Sequence, residues 1–181
     1  MYHLHYRSKS AAVSGLIGIV GIGGFVAVTA YLALGTYTSI ALPFFIFYIT
    51  LVLNTYYSIR LFASITPKED LTQHTIDTVL VLLFFGLSAT FAYPVAFAFI
   101  NICLFTLAAL KYTLLLRIVP HERLLKRKIS IDIIGIIMGL AVLAGVMLGY
   151  EYTTAWCLAV VFIIANIILL KIRPMYVPDP L

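Results

Sequence analysis

The sequence predicts an all-α protein embedded in a membrane, with six transmembrane helices paired as three hairpins. Hydrophobic residues make up 63% of the 181 residues, and the mean hydropathy is +1.09. A soluble domain of this size has too little interior to bury that much apolar surface. The twelve Lys and Arg residues fall in four clusters that alternate with long, mostly apolar stretches. The whole chain, residues 1–181, therefore reads as one integral membrane domain.

Each of these apolar stretches is too long for a single membrane-spanning helix. The stretch over residues 76–116 would form a helix about 60 Å long at ~1.5 Å per residue, whereas the hydrocarbon core of a bilayer is ~30 Å thick. Pro94 lies near its midpoint, and proline suits the first turn of a helix but disrupts its interior. A tight turn just before Pro94 is therefore expected to divide the stretch into two helices.

The other two stretches contain turn signals at similar places. Residues 35–39 are rich in Gly, Thr and Ser, with Pro43 shortly after them, and residues 149–153 surround Glu151. The predicted helices cover about residues 10–34, 39–60, 75–92, 94–116, 129–149 and 153–172. The first apolar run is longer than the core of a signal peptide, so we expect it to remain as a spanning helix.

The distribution of charge predicts the orientation of these helices. With six spans, all twelve basic residues lie on one side, and the opposite side carries only Glu151. The positive-inside rule then places both termini in the cytoplasm and the protein in the cytoplasmic membrane. The segment from Arg117 to Lys128 is expected to contact anionic lipid headgroups. Because the basic residues lie at the ends of apolar runs, the net charge of +5 does not indicate nucleic-acid binding.

Polar side chains within the predicted spans are candidates for a transport path. Predicted helices 2, 4 and 6 each carry one asparagine, and polar groups in a membrane are expected to face inward. The candidates for lining a path are Asn54, Tyr57, Asn101, Tyr112 and Asn166. The alternative is that these groups only form hydrogen bonds between helices, worth about 0.6 kcal/mol each.

Two aspartates lie close to the predicted membrane boundary. Asp77 follows Thr75 by two residues, and Asp132 follows Ser130 by two, so each acid can lie in the first turn of a capped helix. The alternative is an ion pair with Arg60, Lys111 or Lys171 at the cytoplasmic mouth of a path. The candidates for such a mouth are Arg60, Asp77, Lys111, Asp132 and Arg173. The shared pattern, 55 residues apart, indicates either an internal duplication or the similar geometry of any two hairpins.

Glycines in the predicted helices indicate close packing. Predicted helix 5 carries Gly135 and Gly139 on one face and Gly145 and Gly149 on another, and predicted helix 1 carries Gly18 after Ser14. Small residues four apart let helix backbones approach each other. Two such faces predict two neighbours for helix 5, and the second neighbour can belong to another copy of the chain in a homo-oligomer.

The sequence favours no catalytic chemistry and predicts no metal or cofactor. His121-Glu122 begins a zinc-binding H-E-x-x-H motif, but Leu125 replaces the second histidine. The four histidines all lie outside the predicted spans. Two hypotheses remain, a transporter or channel for a small solute or ion, and a non-catalytic membrane subunit that binds partner proteins. A membrane-embedded enzyme ranks below both.

Overall fold

The computed structural model describes residue 13 and residues 15–34, 39–66 and 71–172. These residues form helices joined by short turns, with no strands, which confirms the all-α prediction. Most of the turn predicted at residues 35–39 and the candidate mouth residue Arg173 lie outside the described residues.

Six helices are described along the chain. The first, α1, consists of a π-helical segment, Ile17–Gly23, followed by an α-helical segment, Gly24–Leu34. The others are α2 (Ala41–Ile65), α3 (Leu71–Ala89), α4 (Pro94–Leu115), α5 (Glu122–Met147) and α6 (Glu151–Ile167), which continues as a π-helix over Ile168–Ile172.

Five of these helices, α2 to α6, are long and apolar enough to cross a membrane. The described part of α1 is apolar but shorter, over Ile17–Ala33. The protein is therefore helical with five candidate spans, as expected of a membrane-embedded protein. The sixth span and the sidedness of the membrane stay predictions.

Two helix ends follow directly from the chemistry of single residues. Pro94 occupies the start of α4, where a missing N–H costs nothing because that group has no partner within the helix. Gly149 ends α5 with φ +83°, a left-handed conformation that favours glycine. The N–H of Tyr150 donates to the carbonyl of Gly145, and the N–H of Gly149 donates to that of Val146, which completes a Schellman cap.

Helix α5 starts earlier than the sequence analysis expected. It begins at Glu122 rather than near residue 129, so the predicted basic loop is a short turn followed by the first turns of α5. The reason is burial, because Leu124 and Leu125 pack against Tyr112 and Leu115 of α4. Likewise α2 continues to Ile65 and α3 begins at Leu71, so both extend past their predicted boundaries.

The helices pack around two separate apolar clusters. The larger, which we call the aromatic core, contains residues of all six helices, and the rings of Phe44 and Phe97 stack in it with centroids 3.9 Å apart. It also holds Phe47, Tyr48, Phe84 and Phe91. The smaller, which we call the basal cluster, lies where α2 and α4 end and α5 begins; its members are Leu61, Phe62, Tyr112, Leu115, Val119, Leu124 and Leu125.

Candidate functional site

A cavity of about 130 Å³ reaches from the basal end of the helices towards the aromatic core. Residues of α1 to α5 form its wall. We call this cavity the charged cavity, because four charged side chains line it. From Gln73 to Phe84 along α3 it covers about 16 Å, at ~1.5 Å per residue. That is roughly half of a ~30 Å hydrocarbon core. The inner end is apolar, lined by Leu51, Phe84, Leu104 and Phe105.

The deepest charged pair of the cavity lies on a single helix. Lys128 Nζ donates to Asp132 Oδ1 at 2.5 Å, one turn apart on α5. The two side chains are 9% and 0% exposed, so both charges are shielded from solvent. The Asp132 Oδ2 atom has no hydrogen-bond partner among the described residues. A wholly buried carboxylate thus keeps one acceptor available at the cavity wall.

A second charged pair links two helices nearer the opening. Lys111 Nζ of α4 donates to Asp77 Oδ1 of α3, with the two side chains 19% and 35% exposed. Among the described residues, the lining of the charged cavity therefore contains two lysines and two aspartates, whose formal charges sum to zero. Partial burial strengthens the Coulomb attraction within each pair relative to that of an exposed surface pair, because the local dielectric is lower.

Tyr112 connects the two sides of the cavity. Its hydroxyl lies 2.8 Å from Ser58 Oγ, which ties α4 to α2. The ammonium of Lys128 lies 5.2 Å from the centre of the Tyr112 ring, within the range of a cation–π interaction. One aromatic side chain therefore helps to hold both the α2–α4 contact and the deeper charged pair.

The two aspartates do not cap helices. Asp77 lies in the second turn of α3 and Asp132 in the third turn of α5, so neither is in a first turn. Thr75 Oγ1 donates back to the carbonyl of Leu71, and Ser130 Oγ donates back to that of Lys126. The acids act as partners of lysines instead.

The charged pairs correspond only in part to those expected from sequence. Lys111 was expected as a partner of an aspartate, whereas Lys128 was assigned to a lipid-binding segment and is in fact buried in the cavity wall. The Lys128–Asp132 spacing is the i, i+4 signal of a helical ion pair. A helix predicted to begin at residue 129 excludes Lys128, so this spacing does not predict a pair. Lys171, another expected partner, is exposed.

The three asparagines lie away from the charged cavity. Asn54 is buried on α2 without lining it, and Asn166 Nδ2 donates to the carbonyl of Phe162 on its own helix at 2.9 Å. Asn101 is 0% exposed, lies against Gly139 of α5, and has no hydrogen-bond partner among the described residues. Tyr57 and Arg60 are exposed. Of the sequence candidates, the cavity brings together Asp77, Lys111, Tyr112 and Asp132.

The glycines of α5 face neighbours within the same chain. A Cβ placed on Gly135 would lie 2.6 Å from the Phe105 ring, and one on Gly139 would lie 2.7 Å from Ile102 Cγ1, both on α4. A Cβ on Gly145 would collide with Thr154 of α6. On Gly18 it would make only an ordinary contact with Val81, and Gly149 serves the turn described above.

The described residues contain no group of three His, Cys, Asp or Glu side chains placed to hold a metal ion. No known protein family matches the chain, and comparisons with curated proteins and with solved structures found no match.

Proposed function

We propose that this protein transports a small polar solute, and that the charged cavity is its binding site. The observation that carries the proposal is that two Lys–Asp pairs line a cavity reaching about halfway along the helices. Ionisable side chains within a membrane are costly, and they commonly mark the path of an ion or substrate. A purely structural bundle gains little from placing four of them around a cavity, because apolar packing would serve it better.

In this proposal the structure corresponds to a state that is open at one end. We place the opening at the end where the basic residues concentrate, beside the lining residues Thr66, Gln73 and Lys111. The positive-inside rule makes that end cytoplasmic, in the cytoplasmic membrane. The aromatic core closes the other end, and transport requires this core to open in a second state. Ile19, on the π-helical segment of α1, lines the cavity, and π-helical turns are frequent at functional sites.

A second candidate is a non-catalytic membrane subunit that binds partner proteins. The observation that favours it is the placement of the three asparagines, none of which lines the charged cavity. Purification in a mild detergent distinguishes the two, since a subunit should retain partners at fixed stoichiometry whereas a transporter should purify alone or as a homo-oligomer.

Uptake into liposomes tests the transport proposal. Proteoliposomes are incubated with a mixture of isotopically labelled amino acids, amines, carboxylates and polyols, and the internal solutes are measured by mass spectrometry. Ala108→Phe places a ring in the cavity, and Ala141→Phe places the same ring on an exposed face of α5. We expect uptake by the wild type and by Ala141→Phe, and loss of uptake in Ala108→Phe.

Detergent elution volume confirms that both variants fold. Absence of uptake of every solute by the wild type contradicts the proposal. So does wild-type uptake by Ala108→Phe.

A further inference from the structure

We propose that the solute bound in the charged cavity is a small zwitterion, with an ammonium group at one end and an anionic group at the other. This inference rests on the proposed function, because it names the chemical class that the same site accepts. A short amino acid with a small apolar body matches these requirements best.

The charge of the cavity favours a ligand of zero net charge. Asp77 and Lys111 form one neutral pair, and Lys128 and Asp132 form the other. A ligand with a single charge would leave that charge unbalanced in a site largely removed from water, which is unfavourable. A zwitterion adds one charge of each sign and keeps the site neutral.

The more deeply buried of the two charged pairs offers an acceptor for the ammonium group of the ligand. Asp132 is 0% exposed and lines the cavity, and its Oδ2 atom has no hydrogen-bond partner among the described residues. A buried carboxylate oxygen without a donor is an unusual and costly feature of a folded protein. An ammonium group carries up to three N–H donors and would satisfy it.

Nearer the opening, Lys111 offers donors for the anionic group. Its ammonium donates to Asp77 and its side chain is 19% exposed. Because an ammonium has three N–H groups, two of them remain for a carboxylate without breaking that pair. The ligand would therefore lie with its ammonium inward, near Asp132, and its anionic group outward, near Lys111.

The size and inner lining of the cavity limit the ligand further. About 130 Å³ holds several water molecules or a solute of comparable volume. Leu51, Phe84 and Leu104 form an apolar inner surface that suits a short aliphatic side chain. The headgroup of phosphatidylethanolamine carries the same pair of charges, so the test includes its soluble form.

Thermal unfolding of the full chain in detergent tests the proposal. The probes are glycine, alanine and β-alanine as zwitterions, ethylamine as a cation, propionate as an anion, glycerol as a neutral solute, and glycerophosphoethanolamine as the free lipid headgroup. We expect zwitterions alone to raise the Tm, with a shift that grows with concentration, because a ligand that binds the folded state stabilises it. A larger shift with glycerophosphoethanolamine than with the amino acids assigns the site to a lipid headgroup.

Variants locate the binding to the cavity. We expect Asp132→Asn to abolish the zwitterion-dependent shift. If that variant does not fold, the paired change Asp77→Asn with Lys111→Gln removes the less buried pair. It should weaken the apparent affinity for the zwitterions at least tenfold, so the Tm shift at a given concentration becomes smaller. The matched control is Glu122→Gln with Lys126→Gln, which removes the exposed ion pair of α5 and should keep the full shift.

Each remaining outcome overturns a different statement. If only ethylamine, propionate or glycerol shifts the Tm, and the cavity variants lose that shift, the ligand is not a zwitterion. The assignment of the cavity as the transport site then stands. A zwitterion shift retained by both cavity variants overturns the assignment to this cavity. No shift with any probe, together with no uptake into liposomes, overturns both the zwitterion and the proposed function.

Discussion

At the scale of single residues, the Lys128–Asp132 pair places two opposite charges where almost no solvent reaches them. Such pairs add little net stability compared with apolar packing, but removing one partner leaves the other charge buried and unpaired. We expect Asp132→Asn to lower the free energy of unfolding by about 3–5 kcal/mol. The double change Asp132→Leu with Lys128→Met should recover most of that loss.

Reversible unfolding in mixed detergent micelles measures both effects. Lys126→Met, which removes one partner of the exposed pair with Glu122, is the control and should leave the unfolding midpoint almost unchanged. An Asp132→Asn protein as stable as the wild type would show that the Lys128 charge is well solvated, contrary to the structure.

Asn101 provides a second test at this scale. Its amide is wholly buried, and neither of its polar side-chain atoms has a partner among the described residues. Replacing an unsatisfied buried amide by a group of similar size removes a desolvation cost, so we expect Asn101→Leu to raise the Tm. Asn166→Leu is the comparison, because Asn166 Nδ2 donates to the carbonyl of Phe162 and only its Oδ1 lacks a partner among the described residues, so its replacement should bring a smaller gain in Tm.

A fall in Tm for Asn101→Leu would mean that the amide holds a partner such as a buried water molecule. An unchanged Tm with altered uptake would restore the asparagine-lined path considered from the sequence.

The sequence identified most of the charged residues of the site but not how they pair. Asp77 and Lys111 are 34 residues apart, and their contact depends on how α3 packs against α4, which no local pattern specifies. Asp132 and Lys128 are one helical turn apart, so their pairing needs only a helix that includes both. The basic residues around Lys128 indicated a loop in contact with lipid headgroups, and that prediction concealed the pair.

At the scale of helices, residues with strong backbone preferences made boundaries predictable. Pro94 and Gly149 stand where α4 begins and where α5 ends, because each fits a conformation that other residues adopt less readily. The start of α5 was less accessible to sequence reasoning. Leu124 and Leu125 are only two apolar residues among basic ones, and their burial depends on the basal cluster, which forms from three helices.

The contact between α4 and α5 gives a prediction for whole helices. A Cβ on Gly139 would lie 2.7 Å from Ile102 Cγ1, so even a methyl group requires the Ile102 side chain or the contact between α4 and α5 to shift. We expect Gly139→Ala to destabilise the protein by about 1–3 kcal/mol, the usual cost of overpacking. The control is Gly24→Ala on α1, where no atom lies within 4 Å of the added Cβ and alanine favours the helix.

The midpoint of unfolding in detergent measures the difference between the two alanine variants. Equal midpoints for Gly139→Ala and Gly24→Ala would mean that α4 and α5 do not pack as closely as described.

At the scale of the whole molecule, the membrane orientation is the prediction that the described residues leave open. Glu151 and Lys126 are both exposed. Lys126 lies near the start of α5, and Glu151 is the first residue of α6, just after the turn that follows the other end of α5. In a background lacking Cys103 and Cys157, we expect an impermeant maleimide to label Glu151→Cys in intact cells and Lys126→Cys only in inverted vesicles. Labelling of Lys126→Cys in intact cells would reverse the predicted orientation.

In the proposed function, water fills the charged cavity from the basic end into the membrane, and solute follows the same path. The accessibility of single cysteines on α4 to a charged thiol reagent measures whether water fills the cavity. Ala108 lines the cavity, whereas Leu110 is 49% exposed on the outer surface of the helix and lies closer to the basic end.

If simple depth decided accessibility, Leu110→Cys would react faster. A water-filled cavity predicts the reverse order of labelling rates in inverted vesicles, with rapid labelling of Ala108→Cys and little labelling of Leu110→Cys. An Ala108→Cys protein that stays unlabelled while Lys126→Cys reacts in the same vesicles would contradict a water-filled cavity, and with it the transport proposal.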